Sequence, residues 1–420
     1  MKTLVELFDD SPILNILTSV AFHPEKLIFF GADAEQIKES KNDYIRFFER
    51  RHENIDIEFV QADMSDIKNV ESVLENIITN NPDCVVDVTG GKDTALLAAG
   101  MSAVKLGAPL IAFDRQKNKY INVNNFDMAE SINIYGLLDC YDFFAASGGN
   151  VIECEDFHRY SDDSEKFWKK VIRVWNIYLK YMNVWASHVQ YLQKVSPPAL
   201  PDGQIPLKVK GAFAINVNGR EIRRNDSILK ELNDCGAIEN FKIKENGECT
   251  FSYSCKDFRK YLTDVGAFLE LYIHACALQT GMFSSVLSRV KYNWEYTSKQ
   301  HSRYTVFRPA SNEIDVIAIR GIEPLYISCK TSAPDMKYID EIYPQAMRMS
   351  GGEGHAVFAC THVIDPDMPL YNKAKALGVF IIDGEDIKNR LVTKRLSQIA
   401  ENSYIWKDEP EYMELLGRNE

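Results

Sequence analysis

Short apolar runs alternate with helix-patterned segments through the first 150 residues, and this rhythm restricts the fold more than any other feature of the chain. Leu4–Phe8, Lys26–Gly31, Ile55–Gln61, Cys84–Val88 and Pro109–Phe113 read as strands. Ile13–Phe22, Ala34–Glu49, Asp66–Asn80 and Thr94–Leu106 read as the helices between them. Strands joined through helices pair in parallel, and a run as apolar as Cys84–Val88 suits a sheet covered on both faces. An α/β fold with a Rossmann-like parallel sheet is expected over residues 1–150.

The rhythm changes after that. Residues 151–205 carry Phe167, Val171, Val174, Trp175, Tyr178, Tyr181, Met182, Trp185 and Val189 at helical spacing, which predicts a helical connector closed by Ser196-Pro197-Pro198. Residues 206–264 read as a winged-helix-like unit. In it Ser227 is expected to cap a short helix, Ile228–Asn233, and Phe241–Ile243 to pair with Thr250–Tyr253 around Asn246-Gly247. Residues 265–420 open with an apolar helix, Phe268–Leu278, and return to an α/β pattern. Strands are expected at Ile314–Ile319, Leu325–Cys329, His355–Thr361 and Val379–Ile382, with a helix near Lys337–Met349.

The 420 residues suffice for two to three domains at about 150 residues each. Forty-eight Lys and Arg against sixty Asp and Glu give a net charge of −12, which excludes a broadly basic coat for nucleic acid or membrane. The nine cysteines are scattered without a C-x-x-C pair, so neither a disulfide framework nor a zinc knuckle is expected. No run approaches the roughly 18 apolar residues of a membrane span. Acids interrupt the apolar N-terminus, unlike a signal peptide, and a cytoplasmic protein is expected.

Two places carry chemistry. Asp87-Val88-Thr89-Gly90-Gly91-Lys92-Asp93-Thr94 follows an apolar strand and opens a helix. Its glycines allow close approach, the free N–H groups favour an anion, Thr89 adds a hydroxyl and Lys92 a cation. A second loop at the same sheet edge, Asp9-Asp10-Ser11-Pro12 with Asn15 one turn later, offers Asp10, Ser11 and Asn15. A plain strand-to-helix turn remains the alternative for the first loop. Its spacing is neither Walker A nor G-x-G-x-x-G, which disfavours an ATPase or a nicotinamide-dependent oxidoreductase.

In the last domain Asp315 heads the run Ile314–Ile319, and a short turn leads to Leu325-Tyr326-Ile327-Ser328-Cys329-Lys330. Alternation puts Tyr326, Ser328 and Lys330 on one face, so an acid and a lysine on hairpin partners can converge at one end of a sheet. A PD-(D/E)XK nuclease needs this pair: carboxylates hold Mg²⁺ or Mn²⁺, and the lysine positions water or stabilises the phosphorane. A satisfied buried ion pair is the alternative. Ser328 stands where that motif carries an acid, so Glu341 or Glu270 is expected to supply it, with oxygen ligands from the backbone of Ser328 or Cys329. Upstream, Lys291–Tyr304 interleaves cations with aromatics, a pattern suited to a single strand or to a solvated strand pair.

These pieces resemble the cyclic-oligoadenylate-activated CRISPR ancillary nucleases, in which a CARF sensor is joined through a winged-helix-like segment to a restriction-endonuclease-like α/β nuclease domain. Phe8–Pro12 with Asn15, Asp87–Lys92, Gly266–Glu270, and Asn312–Asp315 with Ile327–Thr331 carry the likeness, in order, over nearly the whole chain. The resemblance implies a homodimer whose Ser11, Thr89, Gly90, Gly91 and Lys92 line a pocket for cyclic tetra-adenylate or a related ring made during type III CRISPR interference. It implies that ligand binding rotates the subunits and organises two metal-dependent sites cutting single-stranded DNA or RNA. A non-catalytic CARF regulator binding DNA through its winged-helix-like segment is the alternative.

Overall fold

The computed structural model describes residues 1–115, 117–126, 132–156, 162–294 and 312–417. Its N-terminal sheet is built by β1 (Thr3–Leu7), α1 (Leu14–Phe22), β2 (Lys26–Phe30), α2 (Ala34–Arg50), β3 (Asp56–Val60), α3 (Ile67–Asn80), β4 (Cys84–Asp87), α4 (Asp93–Leu106), β5 (Leu110–Asp114) and β6 (Lys119–Asn124). The strand order is β3-β2-β1-β4-β5-β6, parallel through β5 with β6 antiparallel at the edge. Alternate residues face opposite layers: Val5, Leu7 and Ile28 pack under α3 and α4, while Leu4, Leu27 and Phe29 pack under α1 and α2. The order of strand addition reverses between the parallel strands β1 and β4, so the loops after these two strands flank the crevice where such sheets receive ligands.

Next come α5 (Cys140–Ala146), β7 (Gly149–Glu155), α6 (Asp162–Lys180) and α7 (Met182–Val195). The helical period expected here is present, with Val171, Val174, Trp175 and Tyr178 buried along α6. The expected boundary at 150/151 falls inside β7, and a strand rather than a helix opens the 151–205 segment. Val151 and Glu153 pair with Tyr292 and Lys291 far along the chain, a partnership invisible to local pattern.

The following unit holds β8 (Lys208–Gly211), β9 (Ala214–Val217), β10 (Arg220–Arg223), α8 (Asp226–Asp234), β11 (Ile238–Ile243), β12 (Cys249–Tyr253) and α9 (Lys256–Leu262). The expected hairpin forms as β11–β12, and β8 adds a third strand. The cap of α8 differs from expectation. Asn225, not Ser227, accepts the N–H of Ile228 at 3.1 Å, because the helix begins two residues earlier than its apolar pattern.

The C-terminal elements are α10 (Ala267–Thr280), β13 (Ser285–Trp294), β14 (Asn312–Arg320), β15 (Glu323–Lys330), α11 (Lys337–Ser350), β16 (His355–Cys360), α12 (Pro369–Leu377), β17 (Phe380–Ile382), α13 (Gly384–Lys388), α14 (Val392–Ala400) and α15 (Glu411–Leu415). Their sheet runs β17-β16-β15-β14-β13-β7. The β13–β14–β15 part is antiparallel, and β15–β16–β17 is parallel. Val316, Ala318, Leu325 and Ile327 pack with α10 and α6 on one face. Ile317, Ile319, Tyr326 and Phe358 join α5 and α11 on the other, in a core continuous with Leu4 and Phe29 of the N-terminal sheet. Most of the aromatic and cationic stretch expected in Lys291–Tyr304 lies outside the described residues, which resume at Asn312. No described helix is long and apolar enough to cross a membrane.

Candidate functional site

The N-terminal crevice is organised by the first acid of the Asp9–Pro12 loop. Asp9, directly after Phe8, accepts the N–H of Ser11 and, across the crevice, the N–H of Gly91, both at 2.8 Å. Asn15 braces it: its Oδ1 accepts the Asp9 N–H at 2.8 Å, and its Nδ2 donates to the Asp9 carbonyl at 2.7 Å and to the Tyr44 hydroxyl at 2.9 Å. Ser11 and Asn15 are 2% and 0% exposed, so they shape the loop from beneath rather than line an open pocket. Gly90 and Gly91 are required by shape. A Cβ at Gly90 would meet Asp9 Oδ2 at 2.8 Å, and one at Gly91, whose φ is +106°, would meet Leu7 Cβ at 2.6 Å.

Thr89 is turned inward, its N–H 2.7 Å from Asp87 Oδ1 and its hydroxyl accepting from the Phe113 N–H at 2.7 Å. Asp10 is exposed and accepts from Gln36 Nε2 at 3.0 Å, while Gln36 Oε1 accepts from Lys92 Nζ at 3.3 Å. Gln36 was not expected here; it comes from the first turn of α2, which the Asp33 capping box starts at the crevice edge. Below the loops Glu6 is fully buried and neither carboxyl oxygen has a partner among the described residues. Burial, then the carboxylates of Asp87 and Asp9, push its pKa well up and favour the neutral form.

At the C-terminal sheet, β14 and β15 bring the expected pair together. Lys330 Nζ donates to Asp315 Oδ2 at 3.0 Å, the Cys329 N–H to the same oxygen at 2.6 Å, and the Ser328 hydroxyl at 3.4 Å. Burial works against the Lys330 ammonium, but Asp315 outweighs it and holds the pKa above its ordinary value. The Cys329 thiol is driven well up by burial and then by Asp315 and Glu270, so Cys329 meets the acid through its backbone N–H, not as a thiolate.

Of the two helical acids, Glu270 approaches Asp315. Burial first, then the Asp315 carboxylate, push Glu270 up to about 8, with Arg289 pulling the other way. Glu341 is solvent-exposed on α11 and makes no described hydrogen bond or ion pair with Asp315 or Lys330. The reason is packing: α10 lies against β13, β14 and β15, where Arg289 holds Glu270, whereas α11 buries Ile339, Ile342 and Ala346 and leaves Glu341 outward.

Arg289 is a further charged residue of this site, with no motif around it in the sequence. It sits inside β13 with φ +53°, a left-handed residue where the β7–β13 register shifts. Such a bulge re-aims a side chain. The guanidinium reaches Glu270 Oε2 at 3.0 Å and Asp264 Oδ2 at 2.8 Å, with Glu155 Oε1 at 3.7 Å. A cation in an apolar-looking strand was the available signal, but its left-handed backbone has none.

These donors do not by themselves form a metal centre. Asp315 Oδ2 is occupied by three donors, Glu270 Oε2 by Arg289, and Ser328 supplies no carboxylate. Among the described residues no group of three His, Cys, Asp or Glu could hold an ion.

No protein-family model and no curated protein matches the chain. Among solved structures, protein VC1899 from Vibrio cholerae has a TM-score of 0.70 at 13% identity, over 96% of this chain and 99% of that one. Can2 from Sulfobacillus thermosulfidooxidans, solved with cyclic tetra-adenylate, has a TM-score of 0.63 at 16% identity, over 93% and 98%. The chain has the fold of Can2. The likeness is one of fold: an α/β architecture with an N-terminal parallel sheet and a second, mixed sheet, matched over nearly the full length of both proteins.

Proposed function

We propose that the chain is a type III CRISPR ancillary nuclease, switched on by a cyclic oligoadenylate, that hydrolyses phosphodiester bonds in single-stranded DNA or RNA. One observation carries the reading: Asp315 and Lys330 meet at 3.0 Å on paired strands of a chain with the fold of Can2. The N-terminal sheet acts as sensor, α6 and α7 as connector, β8 to α9 as winged-helix-like unit, and the C-terminal sheet, including β7, as nuclease.

The activator, cyclic tetra-adenylate in this reading, lies at the β1/β4 crevice. Lys92 and the Asp10 edge meet its phosphates and sugars over the close turn of Thr89, Gly90 and Gly91, whose Thr89 and Gly91 N–H groups are held by Asp87 and Asp9. Two sensors face each other around it. Supporting a homodimer, α4 leaves Leu97, Met101 and Val104 at 64%, 47% and 89% exposure, one helical stripe starting just beyond Lys92.

At the nuclease site Lys330 offers a fixed ammonium to the charge that develops on the phosphoryl oxygens as water adds. Asp315 orients that ammonium, and Arg289 offsets the charge of Glu270 beneath the site. Mn²⁺ or Mg²⁺, in this reading, would be held by Asp315 and Glu270 only after they exchange some of their present hydrogen-bond donors for the ion. Labelled single-stranded DNA and RNA, incubated with Mn²⁺ and a panel of cyclic oligoadenylates, test it. Cleavage with the tetra-adenylate ring that EDTA abolishes is the expected outcome; cleavage that survives EDTA removes the metal.

Ser328, in the place of an acid, favours a second reading, a non-catalytic, ligand-responsive DNA-binding regulator. Binding of the ring without cleavage under any metal selects it.

A further inference from the structure

Helix α11 touches both sites. Its 14 residues span about 21 Å at 1.5 Å per residue. At its N-terminal end the Tyr338 ring lies 5.8 Å from Lys330 Nζ, stacks on Phe358 at 5.8 Å between centroids, and its hydroxyl is 2.8 Å from Ser332 Oγ. At its C-terminal end the Ser11 hydroxyl donates to the Ser350 carbonyl at 3.4 Å, and Ser147 Oγ donates to the Met349 carbonyl at 2.9 Å. The fit there is tight. A Cβ at Gly351, whose φ is +60°, would lie 2.6 Å from Ser11 Cα.

Ser11 in turn gives its N–H to Asp9, the residue that takes the Gly91 N–H across the crevice. A contiguous path therefore runs from Gly91 through Asp9 and Ser11 to Gly351, along α11 to Tyr338, and to Lys330. Between its ends the helix is held against β15 and β16 by Ile339, Ile342, Ala346 and Met349, contacts that lie on both sides of Pro344, where one rung of the backbone ladder is missing.

We propose that α11 is the element through which an occupied crevice sets the position of Lys330, with Ser11–Gly351 as the input contact and Tyr338 as the positioning residue at the output. The proposal rests on the ligand-switched nuclease reading. Physical continuity alone does not establish coupling; a perturbation that separates binding from response does.

Adjacent glycines provide that perturbation. Gly351 and Gly352 both have positive φ, +60° and +95°, so alanine strains either backbone, but at Gly352 it enters open space. Gly351→Ala is expected to lower cleavage at saturating cyclic tetra-adenylate at least tenfold, while affinity for the ring, read by calorimetry, stays within threefold of the parent. Gly352→Ala is expected to stay within threefold in both. Tyr338→Ala, remote from the sensor, guards against misfolding of the first variant: it lowers the saturated rate at unchanged affinity, and Tyr338→Phe restores it. Equal behaviour of the two glycine variants, or a Tyr338→Ala enzyme that responds like the parent, overturns the role of α11 and leaves the nuclease reading standing. A parent chain whose cleavage ignores the ring overturns the reading itself, and the proposal with it.

Discussion

Lys330→Ala is expected to reduce ligand-stimulated cleavage by about 10²–10³-fold, the loss typical when one preorganised donor to transition-state charge is removed. The lysine is held for this task. Its ammonium is fixed 3.0 Å from Asp315, with 28% of the side chain exposed and Tyr338 on its other side. Removing it does not strand the carboxylate, which keeps the N–H of Cys329 and the hydroxyl of Ser328. The melting temperature should therefore change little while the single-turnover rate collapses. Lys330→Arg is not expected to rescue, because a planar fork does not replace a compact ammonium. A parental rate in Lys330→Ala would remove the lysine from the site.

Lys92→Ala is expected to weaken cyclic tetra-adenylate binding by about 10- to 100-fold, as loss of a charge-assisted contact of about 1.5–3 kcal/mol implies. The described structure gives Lys92 one side-chain partner, the Gln36 amide at 3.3 Å, and no carboxylate, so little stability depends on it. Excess ring should return the cleavage rate to that of the parent, since Lys92 takes no part in the chemistry. Titration of the rate against ring concentration separates these effects. An unchanged half-saturation point contradicts the crevice assignment.

What could be read from the sequence was set by how local its causes are. β1, β2, β4 and β5 declare themselves as apolar runs, and the Asn246-Gly247 turn announces β11–β12. By contrast β6 and β7 are edge strands with exposed polar positions, and β7 finds its partner more than a hundred residues away. Strand alternation was enough to bring Asp315, Ser328 and Lys330 together. Whether Glu270 or Glu341 joins them depends on how α10 and α11 pack, and both look alike as single acids on helices. Ser11 and Asn15 are legible in the sequence only as polar residues at a sheet edge. Ser11 is covered by the C-terminal end of α11 and Asn15 is bonded to Asp9 and to Tyr44 of α2, which no spacing encodes. Arg289 was beyond reach for a different reason: a left-handed backbone at an arginine is imposed by its neighbours, not by the residue.

The most direct measurement is the ratio of single-turnover cleavage rates of a labelled single strand with and without saturating cyclic tetra-adenylate, in one Mn²⁺-containing preparation of the intact chain. A ligand-switched nuclease predicts a ratio of at least one hundred, lost in Lys330→Ala and recovered at higher ring concentration in Lys92→Ala. A ratio near one, with the ring bound, contradicts it.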